Sequence, residues 1–152
     1  MVNRLGKTWI GGAASDRPFL ARARPEDSED EFLLLQRACS RLSPAPKLQR
    51  ASNGVEAQHY LAGEGPFNNR DAYPLPSMVV SDLNMPLMDG LNLLDWFKGQ
   101  PWQQRIPFVL LTSSTDQRDR VRARERGADE YLVKPGRFGD LVKTVAGISE
   151  RH

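Results

Sequence analysis

The chain holds one cysteine, Cys39, among 152 residues, so an internal disulfide is excluded. Its place in the apolar run FLLLQRAC suggests a buried thiol behaving as a small hydrophobe. Histidine is nearly as scarce. His59 stands alone in a helical segment and His152 is terminal, which argues against a histidine metal site, a catalytic histidine or a phosphohistidine donor. No apolar run approaches the roughly 18 residues of a membrane span, so no membrane association is expected. The N-terminal stretch MVNRLGKTWIGGAASDR lacks the apolar core of a secretory signal, and residues 1–17 read as a flexible extension of a cytoplasmic protein. A marked charge imbalance is also missing, with 21 Lys and Arg against 19 Asp and Glu. The net charge of +2 gives no compositional case for a nucleic-acid or membrane-surface partner.

An apolar share of 39% and a charged share of 26% fit one ordinary globular domain, here residues 18–152. PFLARA is a short strand candidate despite Arg22, and Arg24 and Pro25 just beyond it. Phe32, Leu35, Cys39 and Leu42 recur at helical spacing behind the acids Glu29, Asp30 and Glu31, predicting a helix over 29–42. Residues 47–51 follow as a strand of poor propensity, and Asn53-Gly54 opens a helix over 55–61. The glycine- and proline-rich GEGPFNNRDAYPLP reads as a long surface loop.

The second half is plainer. SMVVSD and PFVLLTSS are continuous apolar strands, read as buried on two faces. GLNLLDWFKG between them is an amphipathic helix. A charged helix over 118–127 closes on a glycine, EYLVK is a further strand, and 138–148 a last amphipathic helix. Strand-then-helix repeated five times gives an α/β fold, a parallel sheet wrapped on both faces through right-handed crossovers. Ligands in such a sheet sit beyond the carboxyl ends of the strands.

Polar residues fall at those ends: Glu26 and Asp27, then Asp82, then Thr112, then Lys134. Three carboxylates in one pocket repel at up to about 4 kcal/mol per close pair at intermediate dielectric, so the cluster calls for a cation. Oxygen-only ligands favour a hard ion, and a shallow site shared with water and phosphate favours Mg²⁺. A carboxylate nucleophile beside a metal, a lysine and a hydroxyl donor is a phosphoryl-transfer constellation, with Asp82 its natural acceptor.

The segments MVVSDLNMPLMDG, VLLTSS and YLVKPG resemble the signatures of the receiver domains of bacterial response regulators. The intervals of 30 residues from Asp82 to Thr112 and 22 from Thr112 to Lys134 fit the same family. The resemblance implies a doubly wound, flavodoxin-like sheet of five parallel strands in the order 2-1-3-4-5. It implies that Asp27 binds Mg²⁺ directly, Glu26 acts mainly through water, Asp82 is phosphorylated and the Asn84 carbonyl completes the protein ligands. Lys134 and Thr112 would hold the phosphoryl group, with Thr112 swinging toward it and Tyr131, at the aromatic switch position, turning inward behind it. The donor would be a sensor histidine kinase, and the long loop is in the manner of single-domain regulators paired with phytochrome-type kinases. Catalysis would extend to the chain's own phosphorylation and dephosphorylation, not to an enzyme's turnover.

Alternatives stay open at this point. Ala21, Arg22, Ala23, Arg24 and Pro25 precede Glu26 where the family has an apolar strand, so a degenerate receiver acting as a phosphorylation-independent binding module is the competing reading. An aspartate phosphatase is disfavoured, because Asp82-Leu83-Asn84 lacks a second carboxylate two residues on. The helix RDRVRARERG, with five arginines, is either a solvated face or an interaction surface, and without a recognition-helix module no DNA binding is expected. Val142, Val145 and Ile148 would suit either a homodimer through the last helices or core packing. Trp96 and Trp102 bracket a helix end and are expected to pack partly in the core.

Overall fold

The structure is a computed structural model, and it describes residues 19–22, 28–43, 45–46, 48–83 and 88–152. Strands and helices alternate: β1 (Phe19–Arg22), α1 (Ser28–Ser40), β2 (Leu48–Ala51), α2 (Gly54–Ala62), β3 (Met78–Ser81), α3 (Gly90–Lys98), β4 (Phe108–Thr112), α4 (Gln117–Glu125), β5 (Glu130–Val133) and α5 (Phe138–Arg151). The strands β1, β3, β4 and β5 form one parallel ladder in that order. Its register sets Arg22 opposite Ser81, Ser81 opposite Leu110, and Thr112 opposite Val133. β2 lies beside β1 without joining the hydrogen-bonded ladder among the described residues.

Every residue of β3 and β4 is buried, as continuous apolar runs in the middle of a doubly covered sheet must be. β5 is the edge strand and only half-buried, with Val133 exposed. On one side of the core Phe97 of α3 meets Phe108 of β4 and Trp102 edge-on, with ring centroids 5.1 and 5.2 Å apart. Trp96 and Trp102 are both half-buried, in line with the expected partial packing. Cys39 is buried, and burial pushes its thiol up to about 12.

Helix ends follow the sequence closely. Asn53 caps α2 by accepting from the Glu56 amide at 2.9 Å, and Asp89 caps α3 by accepting from the Asn92 amide at 2.8 Å. Gly63, at φ +70°, closes α2 in the left-handed region.

The segment from Gly63 to Pro76 is a connection, but not the plain surface loop its composition suggests. Phe67 is buried, and its ring, Tyr60 and Tyr73 form a cluster with centroids 5.2 to 6.2 Å apart. The Tyr60 hydroxyl donates to the Pro74 carbonyl at 2.8 Å. Arg70 donates to the carbonyls of Tyr60, Leu61 and Tyr73 at 2.8, 2.6 and 3.2 Å, capping α2 with a side chain from its own exit loop.

α5 runs beyond the expected residue 148 to Arg151, because its last turn is clasped to the sheet. Arg151 and His152 both meet the Glu130 carboxylate, at 2.7 and 2.6 Å. Val145 and Ile148 are buried and Val142 is half-buried against the core.

Candidate functional site

Asp82 is the first residue past β3, and its side chain is 3% exposed. A carboxylate so placed must be satisfied from within the protein. Its Oδ1 accepts from the Leu83 amide at 2.6 Å, and its Oδ2 meets Lys134 Nζ at 2.7 Å. The Ser81 hydroxyl donates to the Asp82 carbonyl at 2.8 Å. The Gly90 amide donates to the Leu83 carbonyl at 2.8 Å, and a Cβ on Gly90 would stand 2.3 Å from the Asp82 carbonyl oxygen. Only glycine lets α3 start this close to the Asp82 backbone.

Thr112 closes β4 and is fully buried. Its carbonyl accepts from the Lys134 amide at 2.7 Å, which carries the β4–β5 pairing one step beyond β5 and fixes where the lysine leaves the sheet. The structure therefore brings Asp82, Thr112 and Lys134 to the carboxyl ends of three adjacent strands, as the sequence predicts. Lys134 stays about one-fifth exposed, so its ammonium closes a buried carboxylate from the solvent side.

Behind Thr112, the Ser114 amide donates to Thr112 Oγ1 at 3.2 Å. The Ser114 hydroxyl donates to Asp119 Oδ2 at 2.6 Å, and Asp119 Oδ1 pairs with Arg122. Tyr131, on β5, donates its hydroxyl to the Ser114 carbonyl at 3.1 Å, and the Arg120 guanidinium lies 5.1 Å over its ring. Tyr131 is thus tied to the segment that follows Thr112. Sequence reasoning did not single out Asp119 or Gly90. The Asp116-x-x-Asp119 start of α4 reads as capping chemistry, and nothing local reveals that Asp119 faces a serine five residues back.

Glu26, Asp27 and Asn84, expected as metal ligands, lie outside the described residues. Among the described residues no three histidine, cysteine, aspartate or glutamate side chains gather into a metal-binding group. What Asp82 offers is a buried carboxylate with oxygen donors only, a donor type that fits a hard divalent cation.

The charges of α4 lie mostly at the surface. Ala123 alone is buried in α4 among its described residues. Arg118, Arg122 and Arg126 pair with Asp116, Asp119 and Asp95, as a solvated face does. The side-chain and backbone hydrogen bonds of Arg118 hold the Asp116 carboxyl below the usual carboxylate range. At Glu130 burial alone would raise the carboxyl, but the hydrogen bonds of Arg151 and His152 together outweigh it and hold the group low. No described helix is long and apolar enough to cross a membrane.

A parallel α/β sheet that gathers an aspartate, a threonine and a lysine at three adjacent strand ends defines a class of α/β domain whose polar site lies at the carboxyl edge of the sheet. Residues 26–146 match the response regulator receiver domain, and the chain belongs to that family. The probable methanogenesis regulatory protein FilR2 of Methanothrix harundinacea is 34% identical over 125 residues, covering 82% of this chain and 78% of FilR2. The response regulator Rcp1 of Synechocystis is 32% identical over 123 residues, covering 81% of this chain and 82% of Rcp1. The crystal structure of the phosphorylated cyanobacterial phytochrome response regulator RcpA superposes with a TM-score of 0.77 at 27% identity, covering 88% of this chain and 92% of that one. The Mn²⁺-bound form of Rcp1 superposes at 0.74 with 30% identity, covering 87% and 91%. The chain is thus a receiver-domain response regulator related to phytochrome response regulators, a family not regarded as enzymes.

Proposed function

We propose that this chain is a phosphorylation switch in which Asp82 accepts a phosphoryl group from a sensor histidine kinase. The observation that carries this is the buried Asp82 carboxylate held 2.7 Å from Lys134 at the carboxyl end of the sheet. A carboxylate oxygen of Asp82 attacks phosphorus, the P–N bond to the donor imidazole breaks, and an acyl phosphate forms; attack by water on phosphorus later releases inorganic phosphate. Lys134, freed from the carboxylate charge it now meets, shifts to a phosphoryl oxygen. Thr112 donates its hydroxyl to another. The chain's catalysis is confined to these two steps on itself.

Asp27, Glu26, Asp82 and the Asn84 carbonyl are the residues assigned to hold Mg²⁺. Bound there, the ion would offset the charge of the carboxylates and the incoming phosphoryl oxygens. The carboxylate chemistry of Asp82 supports this assignment, as does the Mn²⁺-bound state of the relative Rcp1. The receiver unit is read as 18–152 with 1–17 an extension, and β2, beside β1, as completing a five-stranded order 2-1-3-4-5. Similarity to the cyanobacterial phytochrome response regulator RcpA supports a phytochrome-type kinase as the donor.

Calorimetric titration with Mg²⁺ and then beryllofluoride tests the reading. Saturable beryllofluoride binding to the wild type and none to Asp82→Asn is expected. Absence of binding to both would leave a receiver that works as a phosphorylation-independent binding module.

A further inference from the structure

We infer that Asp119, acting through Ser114, is a positioning residue for the switch: it fixes Ser114, which orients the Thr112 hydroxyl and seats the Tyr131 hydroxyl. The inference rests on the phosphoacceptor reading of Asp82 and extends it to the start of α4.

Ser114 makes four directed bonds with four different residues. Its amide donates to Thr112 Oγ1 at 3.2 Å, and its carbonyl accepts from Tyr131 at 3.1 Å. Its hydroxyl donates to Asp119 Oδ2 at 2.6 Å and accepts from the Asp116 amide at 3.3 Å. The bond to Asp119 is charge-assisted and short, the strongest of the four by type. Asp119 is 15% exposed, and its second oxygen is paired with Arg122, so the acceptor is itself held in place.

The consequence for Thr112 follows from the chemistry of a hydroxyl. Thr112 Oγ1 has one proton to give and two lone pairs. The Ser114 amide occupies one lone pair, which fixes the oxygen and turns the proton away from Ser114. Accepting one hydrogen bond also polarises the hydroxyl for donating another. The Thr112 hydroxyl thus starts its swing toward a phosphoryl group on Asp82 from a held position, with its proton turned away from Ser114. Tyr131 enters the same account because its seat is the Ser114 carbonyl, on the residue whose side chain Asp119 restrains. Without that restraint the peptide can rotate, and the orientation of Thr112 and the seat of Tyr131 are lost together.

The probe is beryllofluoride in the presence of Mg²⁺, with Mg²⁺ alone titrated first. Asp119→Ala and Ser114→Ala are each expected to weaken beryllofluoride binding about three- to tenfold, the weight of one charge-assisted hydrogen bond moderated by solvent. Mg²⁺ affinity should not change, since neither residue belongs to the assigned ligand set. The double variant should be no weaker than either single one, and Ser114→Thr, which keeps the hydroxyl, should restore wild-type binding. In the ligand-free protein the Ser114 amide should exchange with solvent faster in Asp119→Ala than in wild type. Wild-type beryllofluoride affinity and wild-type Ser114 exchange in Asp119→Ala would overturn the inference, as would additive losses in the double variant. A wild-type protein that binds no beryllofluoride would instead overturn the phosphoacceptor reading and this extension with it, whatever the Ser114 amide does.

Discussion

Lys134 Nζ and Asp82 Oδ2 stand 2.7 Å apart across 52 residues of sequence, joining the ends of β5 and β3 over the intervening β4. The carboxylate is almost fully buried and the lysine is not. This is the arrangement of a charge that needs covering and a counter-charge that can leave.

Removing the cover has a cost. Lys134→Ala is expected to lower stability by about 1–2 kcal/mol, less than for a fully buried pair because solvent reaches the lysine. Urea denaturation would read it. Adding Asp82→Asn to Lys134→Ala should recover most of the loss, since the amide carries no charge to cover. The same Lys134→Ala variant should still accept phosphate while losing the conformational response.

Gly90→Ala sets two effects against each other. Helix propensity favours alanine by about 1 kcal/mol, but the new Cβ would meet the Asp82 carbonyl oxygen at 2.3 Å. The clash wins. A net loss of about 1–3 kcal/mol is expected, in the range of overpacked sites, read as a lowered urea midpoint. A gain in stability would mean that α3 does not start against the Asp82 backbone.

The fold and the three strand-end residues were legible because they depend on local pattern. β3 and β4 are apolar runs that each close on a hydroxyl residue, Ser81 and Thr112, with Asp82 directly after Ser81. β2 was marginal, since Leu48, Gln49, Arg50 and Ala51 carry little strand propensity and owe their place to β1 beside them. The Gly63–Pro76 segment misled by composition: Phe67 and Tyr73 pack on Tyr60, and Arg70 caps α2, contacts no loop statistic contains. The Ser114–Asp119 bond was invisible for a similar reason, since both residues also make good sense as turn and cap residues. Glu26, Asp27 and Asn84 remain sequence expectations, outside the described residues.

Cys39 should resist alkylation in the folded protein. Its thiol is buried and pushed up to about 12, so the reactive thiolate is scarce at pH 8. Iodoacetamide followed by mass spectrometry should show labelling in urea and almost none in buffer. Because the folded value is raised, the contribution to stability is complete below about pH 9 and is lost as pH rises toward 12.

Glu130 gives the opposite sign. Its carboxyl is held low by Arg151 and His152, so its stabilisation is present above the ordinary carboxylate range and is lost as pH falls through the lowered folded value. Glu130→Gln should flatten that acid limb and cost about 1 kcal/mol at neutral pH, since Arg151 stays half-exposed and screened by solvent. Amide exchange should rise in the last turn of α5, which Arg151 and His152 tie to β5.

The most direct test of the central claim is intact-mass spectrometry after incubation with acetyl phosphate and Mg²⁺, on wild type and Asp82→Asn. One hydroxylamine-labile phosphoryl adduct on the wild type and none on Asp82→Asn is the expected result. An adduct retained on Asp82→Asn, or none on either protein, would contradict the assignment of Asp82 as the phosphoacceptor.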